Sequence, residues 1–258
     1  MIRTTFSRRA SVITGMCCLL MVATLGSCTA KNTSSEGGAS TSESAPPSSE
    51  LLSDEPLAVG AIPDQDPEKI QRLYDKLATY LSEALGVPVV YQPVTDYAAA
   101  VTAFKVGDLD LVWFGGLTGV QSRLQVPGAE AIAQRDIDEV FHSVFIANAA
   151  AGIDPLEDAS GLTALKGKSF TFGSESSTSG RLMPQYFLAE AGVTPADFKG
   201  EPGFSDSHDA TLKLVESGSY EVGALNEQVW LDRVESGEVD ETKVQAIWQT
   251  PAYYDYHW

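Results

Sequence analysis

Short apolar runs and longer amphipathic stretches follow one another along the chain from about residue 55. The run Leu57–Ile62 predicts a buried strand. The stretch after it predicts a helix, because Asp66 can cap the helix, Pro67 suits its first turn and Gly86 can end it. The apolar face of this helix recurs at helical spacing and consists of Ile70, Leu73, Tyr74, Leu77, Leu81, Ala84 and Leu85.

The same alternation continues and predicts an α/β fold. A second helix is expected from a cap at Thr95 or Asp96 to about Val106, a third near 180–191 and a fourth at about 207–217. Strand, helix, strand, helix, strand is typical of a parallel sheet covered by helices. Further strands are expected at residues 87–91, 109–113, 129–133, 140–147, 168–172, 222–225 and 244–248.

The segment Gly152-Ile153-Asp154-Pro155 interrupts this pattern before a second αβ series begins. We therefore predict two lobes, with lobe 1 at residues 55–149, lobe 2 at 150–236 and a return segment to lobe 1 at 237–258. Open α/β sheets bind ligands beyond the carboxyl ends of their strands, so a ligand cleft is expected between the lobes. Binding would then proceed by hinge closure about the crossovers between the lobes, which we expect near Ala150 and Ser236.

The N-terminus has the order of an export signal. Three arginines precede an uncharged stretch at residues 10–26, which closes on Leu25-Gly26-Ser27-Cys28. The stretch is shorter than the about 20 apolar residues that a membrane span needs, and its end resembles the lipobox of bacterial lipoproteins. We predict a signal peptide at residues 1–27 and a lipid anchor on Cys28. An ordinary secreted protein is the alternative, and Ser7-Arg8-Arg9 leaves the export route open.

Residues 28–54 are predicted to be a disordered tether, because they consist mainly of Ser, Thr, Glu, Gly, Ala and Pro and offer almost nothing to bury. Cys17 and Cys18 lie in the signal peptide and Cys28 would be acylated, so no disulfide is possible in the mature chain. The fold must be stabilised by an ordinary hydrophobic core, for which a chain of 258 residues is long enough.

The chain is strongly acidic, with a formal net charge of −18. A nucleic-acid partner is excluded, since binding to phosphate backbones depends on clustered Lys and Arg, and no such cluster follows Lys31. Bulk charge would also repel any anionic ligand. An anion site in this chain therefore needs local donors that overcome a repulsive field.

The sharpest local motif is Phe172-Gly173-Ser174-Glu175-Ser176-Ser177-Thr178-Ser179-Gly180, a strand end followed by small hydroxyl residues and the start of a helix. Free backbone N–H groups at a helix N-terminus attract anions, and the hydroxyls of Ser177, Thr178 and Ser179 add donors at the same place. Helix capping by one Ser or Thr accounts for the same residues, so the motif alone leaves both interpretations open.

Several motifs in the same order resemble the substrate-binding proteins of phosphonate and phosphite ABC importers. They are the Phe172–Gly180 segment, Ser207-His208-Asp209-Ala210 and Gly223-Ala224-Leu225-Asn226. Two more, Val94-Thr95-Asp96-Tyr97-Ala98-Ala99 and Trp113-Phe114-Gly115-Gly116, resemble a branch of that family labelled as selenate-binding. The resemblance extends from the first predicted strand to the end of the chain and is more specific than any single motif.

The resemblance implies a two-lobed periplasmic-binding-protein fold and a solute-binding lipoprotein outside the cytoplasmic membrane. Its partners would be a small tetrahedral oxyanion, an ABC permease and the membrane through the lipid anchor, with no cofactor. The family usually continues several tens of residues beyond the region of Tyr253–Trp258, so we expect the chain to be a fragment. Part of the first lobe would then lack its helical cover.

The resemblance also implies which residues bind the ligand. The hydroxyl cluster would hold the anion from lobe 2, and a histidine would donate from the next helix start. A tyrosine and the loop Gly115-Gly116-Leu117-Thr118 would close over it from lobe 1, and two acids fall where phosphonate binders place carboxylates. These residues are Tyr97, Gly116, Thr118, Ser177, Thr178, Ser179, His208, Glu227 and Asp255.

An enzyme is not expected. The three histidines, His142, His208 and His257, have no metal-ligand spacing, and the sequence contains no Gly-x-Ser-x-Gly elbow, Walker loop or dinucleotide fingerprint. A sensory module that binds the same ligand stays open. So does a selenate binder, although a carboxylate facing the anion favours phosphorus oxyanions, which can retain a proton, over selenate, which cannot near neutral pH.

Overall fold

A computed structural model describes residues 55–258 of the chain. The predicted signal peptide, the lipidated Cys28 and the tether lie outside these described residues. All of residues 55–258 belong to one compact unit. Within this range, no helix has the length and apolar character that a membrane span requires.

The first sheet is parallel and three-stranded. It contains β1 (Leu57–Ala61), β2 (Val89–Tyr91) and β3 (Leu111–Trp113) in the order β2-β1-β3. Helix α1 (Pro67–Leu85) joins β1 to β2 and helix α2 (Tyr97–Val106) joins β2 to β3. The predicted alternation of strand and helix is thereby confirmed. The residues predicted to begin and end α1 are confirmed as well. The Asp66 side chain caps α1, and Gly86 ends it with a left-handed φ of 70°.

Helix α3 (Gly116–Gln125) follows β3, and the chain then enters a five-stranded mixed sheet of order β6-β5-β7-β4-β8. The central strand β7 lies parallel to β5, whereas β4 runs antiparallel to both β7 and β8. The strands of this sheet are β4 (Ser143–Asn148), β5 (Phe170–Phe172), β6 (Gly203–Phe204), β7 (Val222–Asn226) and β8 (Val244–Gln249).

The helices of this second half lie between its strands. A short π-helix at Thr178–Leu182 runs directly into α4 (Met183–Glu190). Helix α5 (His208–Glu216) precedes β7, and α6 (Glu227–Glu235) follows it. Short 3₁₀ helices occur in the connections at Asp136–Glu139, Ala149–Ala151, Ala159–Leu165 and Pro195–Asp197.

The sheets divide the chain at different places from the predicted lobe boundaries. Strand β4 begins at Ser143, before the predicted crossover at 150, and β8 lies in the second sheet although residues 237–258 were predicted to return to lobe 1. The crossovers therefore lie just before β4 and just after β8. The reason is the antiparallel pairing of β4 with β8, which joins segments about a hundred residues apart and leaves no local signal in the sequence.

The return to the first lobe occurs at the last residues. Phe141 and Tyr253 pair across the two crossovers, and Phe114 at the end of β3 pairs with His257. Tyr256 stacks on Trp113, with 5.7 Å between ring centroids, in the core of the first lobe. A separate core under the second sheet contains Phe145, Phe170, Phe172, Leu188 and Ile247. Lobe 1 of the structure is therefore the first sheet with its helices and the return segment, and lobe 2 is the second sheet with its helices.

Candidate functional site

The three predicted hydroxyl residues, which we call the anion loop (Ser177–Ser179), are buried at the end of the connection that follows β5. They do not act alike. The Ser177 Oγ accepts the N–H of Gly180 at 2.9 Å and so caps the π-helix. The Thr178 Oγ1 accepts the N–H of Leu117 from lobe 1 at 3.0 Å, whereas the Ser179 Oγ has no hydrogen-bond partner within residues 55–258.

The lobe 1 side of the site is the N-terminus of α3. The Gly116 N–H donates to the Asp255 Oδ1 at 2.8 Å, next to the Leu117 N–H that reaches Thr178. A Cβ atom on Gly115 would lie 3.2 Å from the Asp255 Oδ1 and 3.3 Å from the Thr178 Oγ1, tighter than usual contact. Glycine at this position therefore lets backbone approach a carboxylate and a hydroxyl closely.

Thr118 differs from the other predicted ligand residues in lobe 1. Its buried hydroxyl donates to the Gly115 carbonyl oxygen at 3.1 Å, which supports the turn that opens α3. Its predicted contact with a ligand stays a prediction. Tyr97 opens α2 and is 2% exposed, and its hydroxyl has no hydrogen-bond partner among the described residues. Burial, the dominant cause, raises the pKa of Tyr97 well above its usual value, whereas the nearby Ser177 hydroxyl lowers it.

Asp255 lies at the centre of this cluster. Burial raises its pKa to about 7, although the Gly116 N–H and the neighbouring hydroxyls of Thr178 and Ser179 lower it. Its Oδ1 is bonded to Gly116, whereas its Oδ2 makes no hydrogen bond to any residue that the structure describes. Near neutral pH this carboxyl group can therefore hold a proton or accept one.

His208, predicted from Ser207-His208-Asp209-Ala210, is fully buried at the first position of α5. Burial lowers the pKa of His208 to about 4, so the ring is neutral at pH 7. The Asn226 N–H donates to its Nδ1 at 3.3 Å, which leaves the single ring proton on Nε2. His208 also borders the anion loop, since its Cε1 would lie 3.3 Å from a Cβ atom on Gly180. The Nε2 proton faces the Tyr256 hydroxyl, 3.4 Å away, so the predicted donation from His208 to a ligand stays a prediction.

Glu227 is placed apart from these residues. It begins α6, half-buried, and burial raises its pKa while the nearby His142 lowers it. Its backbone N–H donates to the His142 carbonyl oxygen at 3.3 Å. No hydrogen bond joins the Glu227 side chain to the anion loop in the part of the chain that the structure describes, so the carboxylate that faces the loop is Asp255.

Asp64 and Tyr256 form a second buried network that the sequence analysis did not single out. The Tyr256 hydroxyl donates to the Asp64 Oδ2 at 2.8 Å and lies 3.4 Å from the His208 Nε2. Burial raises the pKa of Asp64 to about 6. The signal was present in the sequence, because Asp64 follows β1 at the carboxyl end of a central parallel strand, where ligands of open sheets bind.

The chemistry of the site is that of noncovalent anion recognition. Its groups are hydroxyls, the backbone N–H groups at the start of α3 and one carboxyl group. The described residues contain no cluster of three or more His, Cys, Asp or Glu side chains that could hold a metal ion.

Comparison with known proteins decides the family. Residues 59–258 match the family described as "ABC transporter, phosphonate, periplasmic substrate-binding protein". The chain belongs to this family. The probable ABC transporter phosphite binding protein PhnD1 of Prochlorococcus marinus is 52% identical over 203 residues, which are 78% of this chain and 68% of that protein. Family membership confirms the predicted class of transport component rather than enzyme.

Two further similarities agree with this assignment. The structure of PhnD1 from Prochlorococcus marinus in complex with methylphosphonate matches with a TM-score of 0.78 and 51% identity, covering 80% of this chain and 76% of that one. The phosphate-import protein PhnD of Mycolicibacterium smegmatis is 25% identical over 207 residues, 76% of this chain and 63% of that protein. The predicted α/β periplasmic-binding-protein fold is confirmed.

Proposed function

We propose that this family member captures a small phosphorus oxyanion, methylphosphonate or phosphite, between its lobes and delivers it to an ABC permease. PhnD1 of Prochlorococcus marinus is described as a probable phosphite binding protein and has been crystallised with methylphosphonate. These ligands share a compact tetrahedral head with three oxygens, which suits a short cluster of hydroxyl donors.

The observation that carries this proposal is a set of three buried side-chain oxygens without hydrogen-bond partners within the described range. They belong to Tyr97, Ser179 and Asp255 and come from both lobes. Buried polar atoms are nearly always hydrogen-bonded, so three at one place indicate a polar ligand. Tyr97 and Ser179 can donate to an oxyanion.

The carboxyl group of Asp255 favours anions that still carry a proton near neutral pH. Phosphite and methylphosphonate can retain a proton on one oxygen near neutral pH and donate it to the Asp255 Oδ2. Sulfate and selenate have no proton to donate, so they would meet an unshielded carboxylate. Since burial raises the pKa of Asp255 to about 7, one proton shared between Asp255 and the ligand offsets the repulsion.

A panel of anions tests this proposal. Thermal shift and calorimetry with methylphosphonate, phosphite, phosphate, sulfate and selenate should show the largest stabilisation by the first two, because ligand binding to the folded state raises Tm by mass action. Stabilisation by sulfate or selenate at lower concentration than by any phosphorus compound would contradict it.

We further propose that the protein is held at the outer face of the cytoplasmic membrane by a lipid on Cys28. The support is the order of residues at the N-terminus, which is that of a lipoprotein export signal. Cys28→Ala should release the protein from the membrane fraction, and mass spectrometry should find an acylated Cys28 at the mature N-terminus. An unmodified N-terminus at another residue would remove the proposal.

A further inference from the structure

Ser143 is a fully buried residue outside the anion cluster whose hydroxyl reaches into the anion loop. It is the first residue of β4, and its Oγ lies 2.7 Å from the carbonyl oxygen of Ser179. The same Oγ lies 2.6 Å from the Tyr253 hydroxyl. One small side chain thus connects the loop with a tyrosine of the return segment.

The Ser179 carbonyl is available because of a proline. In the π-helix, Leu182 N–H donates to the Ser177 carbonyl and Met183 N–H to the Thr178 carbonyl. Each of these N–H groups bonds to the carbonyl five residues before it. The residue five positions after Ser179 is Pro184, whose backbone nitrogen carries no hydrogen and cannot donate. A buried carbonyl without a partner is costly, and the Ser143 hydroxyl supplies the missing donor.

The direction of both hydrogen bonds follows from the number of protons. A serine hydroxyl has one proton, and a carbonyl oxygen can only accept. The Ser143 proton therefore lies toward the Ser179 carbonyl, and the Tyr253 hydroxyl must donate to the Ser143 Oγ. The result is a one-way relay from Tyr253 to Ser143 to Ser179.

The relay starts at the two crossovers between the lobes. The Ser143 N–H donates to the Thr250 Oγ1 at 3.0 Å, and the Thr250 N–H donates to the Ser143 carbonyl at 3.0 Å. Phe141 and Tyr253 pair one step further along the same two segments. We propose that Ser143 and Tyr253 are positioning residues for anion binding. They fix the orientation of the Ser179 peptide relative to the two segments that cross between the lobes.

This inference rests on the proposed function, since it concerns how the same site is held in shape. Without the relay the Ser179 peptide is free to rotate, which displaces the Ser179 hydroxyl and the adjoining Gly180 N–H that Ser177 accepts. Neither Ser143 nor Tyr253 needs to touch the anion for this effect.

The test compares Ser143→Ala, Tyr253→Phe and the double variant with Ser82→Ala. Ser82 is a matched control, because its hydroxyl also donates to one carbonyl and accepts one N–H, but near the C-terminal end of α1 and the start of β2. In calorimetry with methylphosphonate, Ser143→Ala should raise Kd about ten-fold and Tyr253→Phe by a smaller factor. The double variant should match Ser143→Ala, since both act in one relay. Ser82→Ala should leave Kd unchanged.

Amide hydrogen exchange without ligand separates failure of this inference from failure of the proposed function. Ser143→Ala and Tyr253→Phe should speed exchange of the Gly180 and Leu182 amides whichever anion the protein binds, whereas Ser82→Ala should not. If Ser143→Ala does not fold, both the calorimetry and the hydrogen-exchange measurement are made on Tyr253→Phe. Unchanged exchange at these amides, or additive losses of affinity in the double variant, would overturn the relay.

Discussion

Thr178 is the residue of the anion loop whose hydroxyl joins the two lobes, because it accepts the N–H of Leu117. An anion that replaces this N–H as a partner would receive donors from Thr178 and from the start of α3 together. Thr178→Ala should therefore weaken methylphosphonate binding by about 1.5 to 3 kcal/mol, or roughly ten- to a hundredfold in Kd.

Calorimetry measures this loss, and the Tm of the ligand-free variant checks that the fold is intact. Ser177→Ala is the comparison, because the Ser177 hydroxyl already accepts the Gly180 N–H as a helix cap. It should cost about 1 kcal/mol of stability. Unchanged affinity in Thr178→Ala would mean that the anion loop only caps the helix and does not bind the anion.

Asp255 makes the stability of the ligand-free protein depend on pH. Its pKa rises from the ordinary 3.8 to about 7 on folding, so between these values the folded protein holds a proton that the unfolded chain releases. Stability therefore falls as the pH rises through this window. Asp64, with its pKa raised to about 6, acts in the same direction.

Asp255→Asn should remove much of this pH dependence, because an amide stays neutral and its oxygen can still accept the Gly116 N–H. At pH 8 we expect the ligand-free variant to melt roughly 5–10 °C above the parent protein, with a clearly smaller difference at pH 5. Scanning calorimetry at both pH values measures this. The exposed Asp154→Asn is the control and should change neither Tm. If the Tm of Asp255→Asn changed with pH as much as the Tm of the parent protein does, Asp255 would be charged in the folded protein.

The N-terminus of α5 docks on the loop after β1 and joins the lobes away from the anion loop. The His208 N–H donates to the Asp64 carbonyl at 2.9 Å, and the Asp209 Oδ2 accepts the Asp66 N–H at 2.8 Å. Asp209 also holds the buried Arg233 of α6 through both carboxylate oxygens, at 2.7 and 2.9 Å. This contact therefore ties lobe 2 to lobe 1.

Asp209→Ala should weaken methylphosphonate binding, because it removes a hydrogen bond that joins the two lobes, and an anion bound between the lobes needs both of them in place. It should also destabilise the protein, by up to about 3 kcal/mol, since the buried Arg233 would keep only the exposed Glu238 as an ion-pair partner, at 3.3 Å. The double variant Asp209→Ala/Arg233→Met should recover most of the stability but not the affinity. Chemical unfolding and calorimetry on both variants separate the two effects. Full recovery of affinity in the double variant would mean that Asp209 acts only through stability.

Elements with strong local signals could be predicted from the sequence, and those defined by distant partners could not. Helix α1 has a cap, a proline and a terminal glycine, and its prediction is confirmed nearly to the residue. Helix α3 was missed because it opens with Gly-Leu-Thr-Gly, which has low helix propensity. The strand predicted at 129–133 is wrong. That segment is irregular. Its Ala129 N–H donates to the Val126 carbonyl, and its Ile132 N–H and Ala133 carbonyl bond to Trp258.

The candidate site divides in the same way. The hydroxyl loop and His208 are recognisable from ordered motifs and Asp255 from its spacing, and the structure brings the loop and Asp255 together with Tyr97. The relay through Ser143 and the carboxyl group of Asp64 depend on contacts between residues 36 to 192 positions apart, which no local pattern reports.

The net charge of the whole chain opposes the binding of its ligand. With a formal charge of −18, the protein repels an approaching anion over about a Debye length, roughly 8–10 Å at physiological salt. Added salt should therefore speed association, by a few-fold between about 20 and 200 mM NaCl. Stopped-flow fluorescence of the core tryptophans with methylphosphonate measures the rate constant. A rate constant that falls as salt is added would mean that a local positive field steers the anion.

The proton held between Asp255 and the ligand is tested most directly by calorimetry at several pH values. The two proteins are the parent and Asp255→Asn, and the two ligands are methylphosphonate and sulfate. We predict that the parent protein prefers methylphosphonate and loses affinity for it as the pH rises above about 7, because Asp255 and the ligand then both carry unshielded charge. Asp255→Asn should remove most of that loss and gain affinity for sulfate. Tighter binding of sulfate than of methylphosphonate by the parent protein, unchanged in Asp255→Asn, would contradict this.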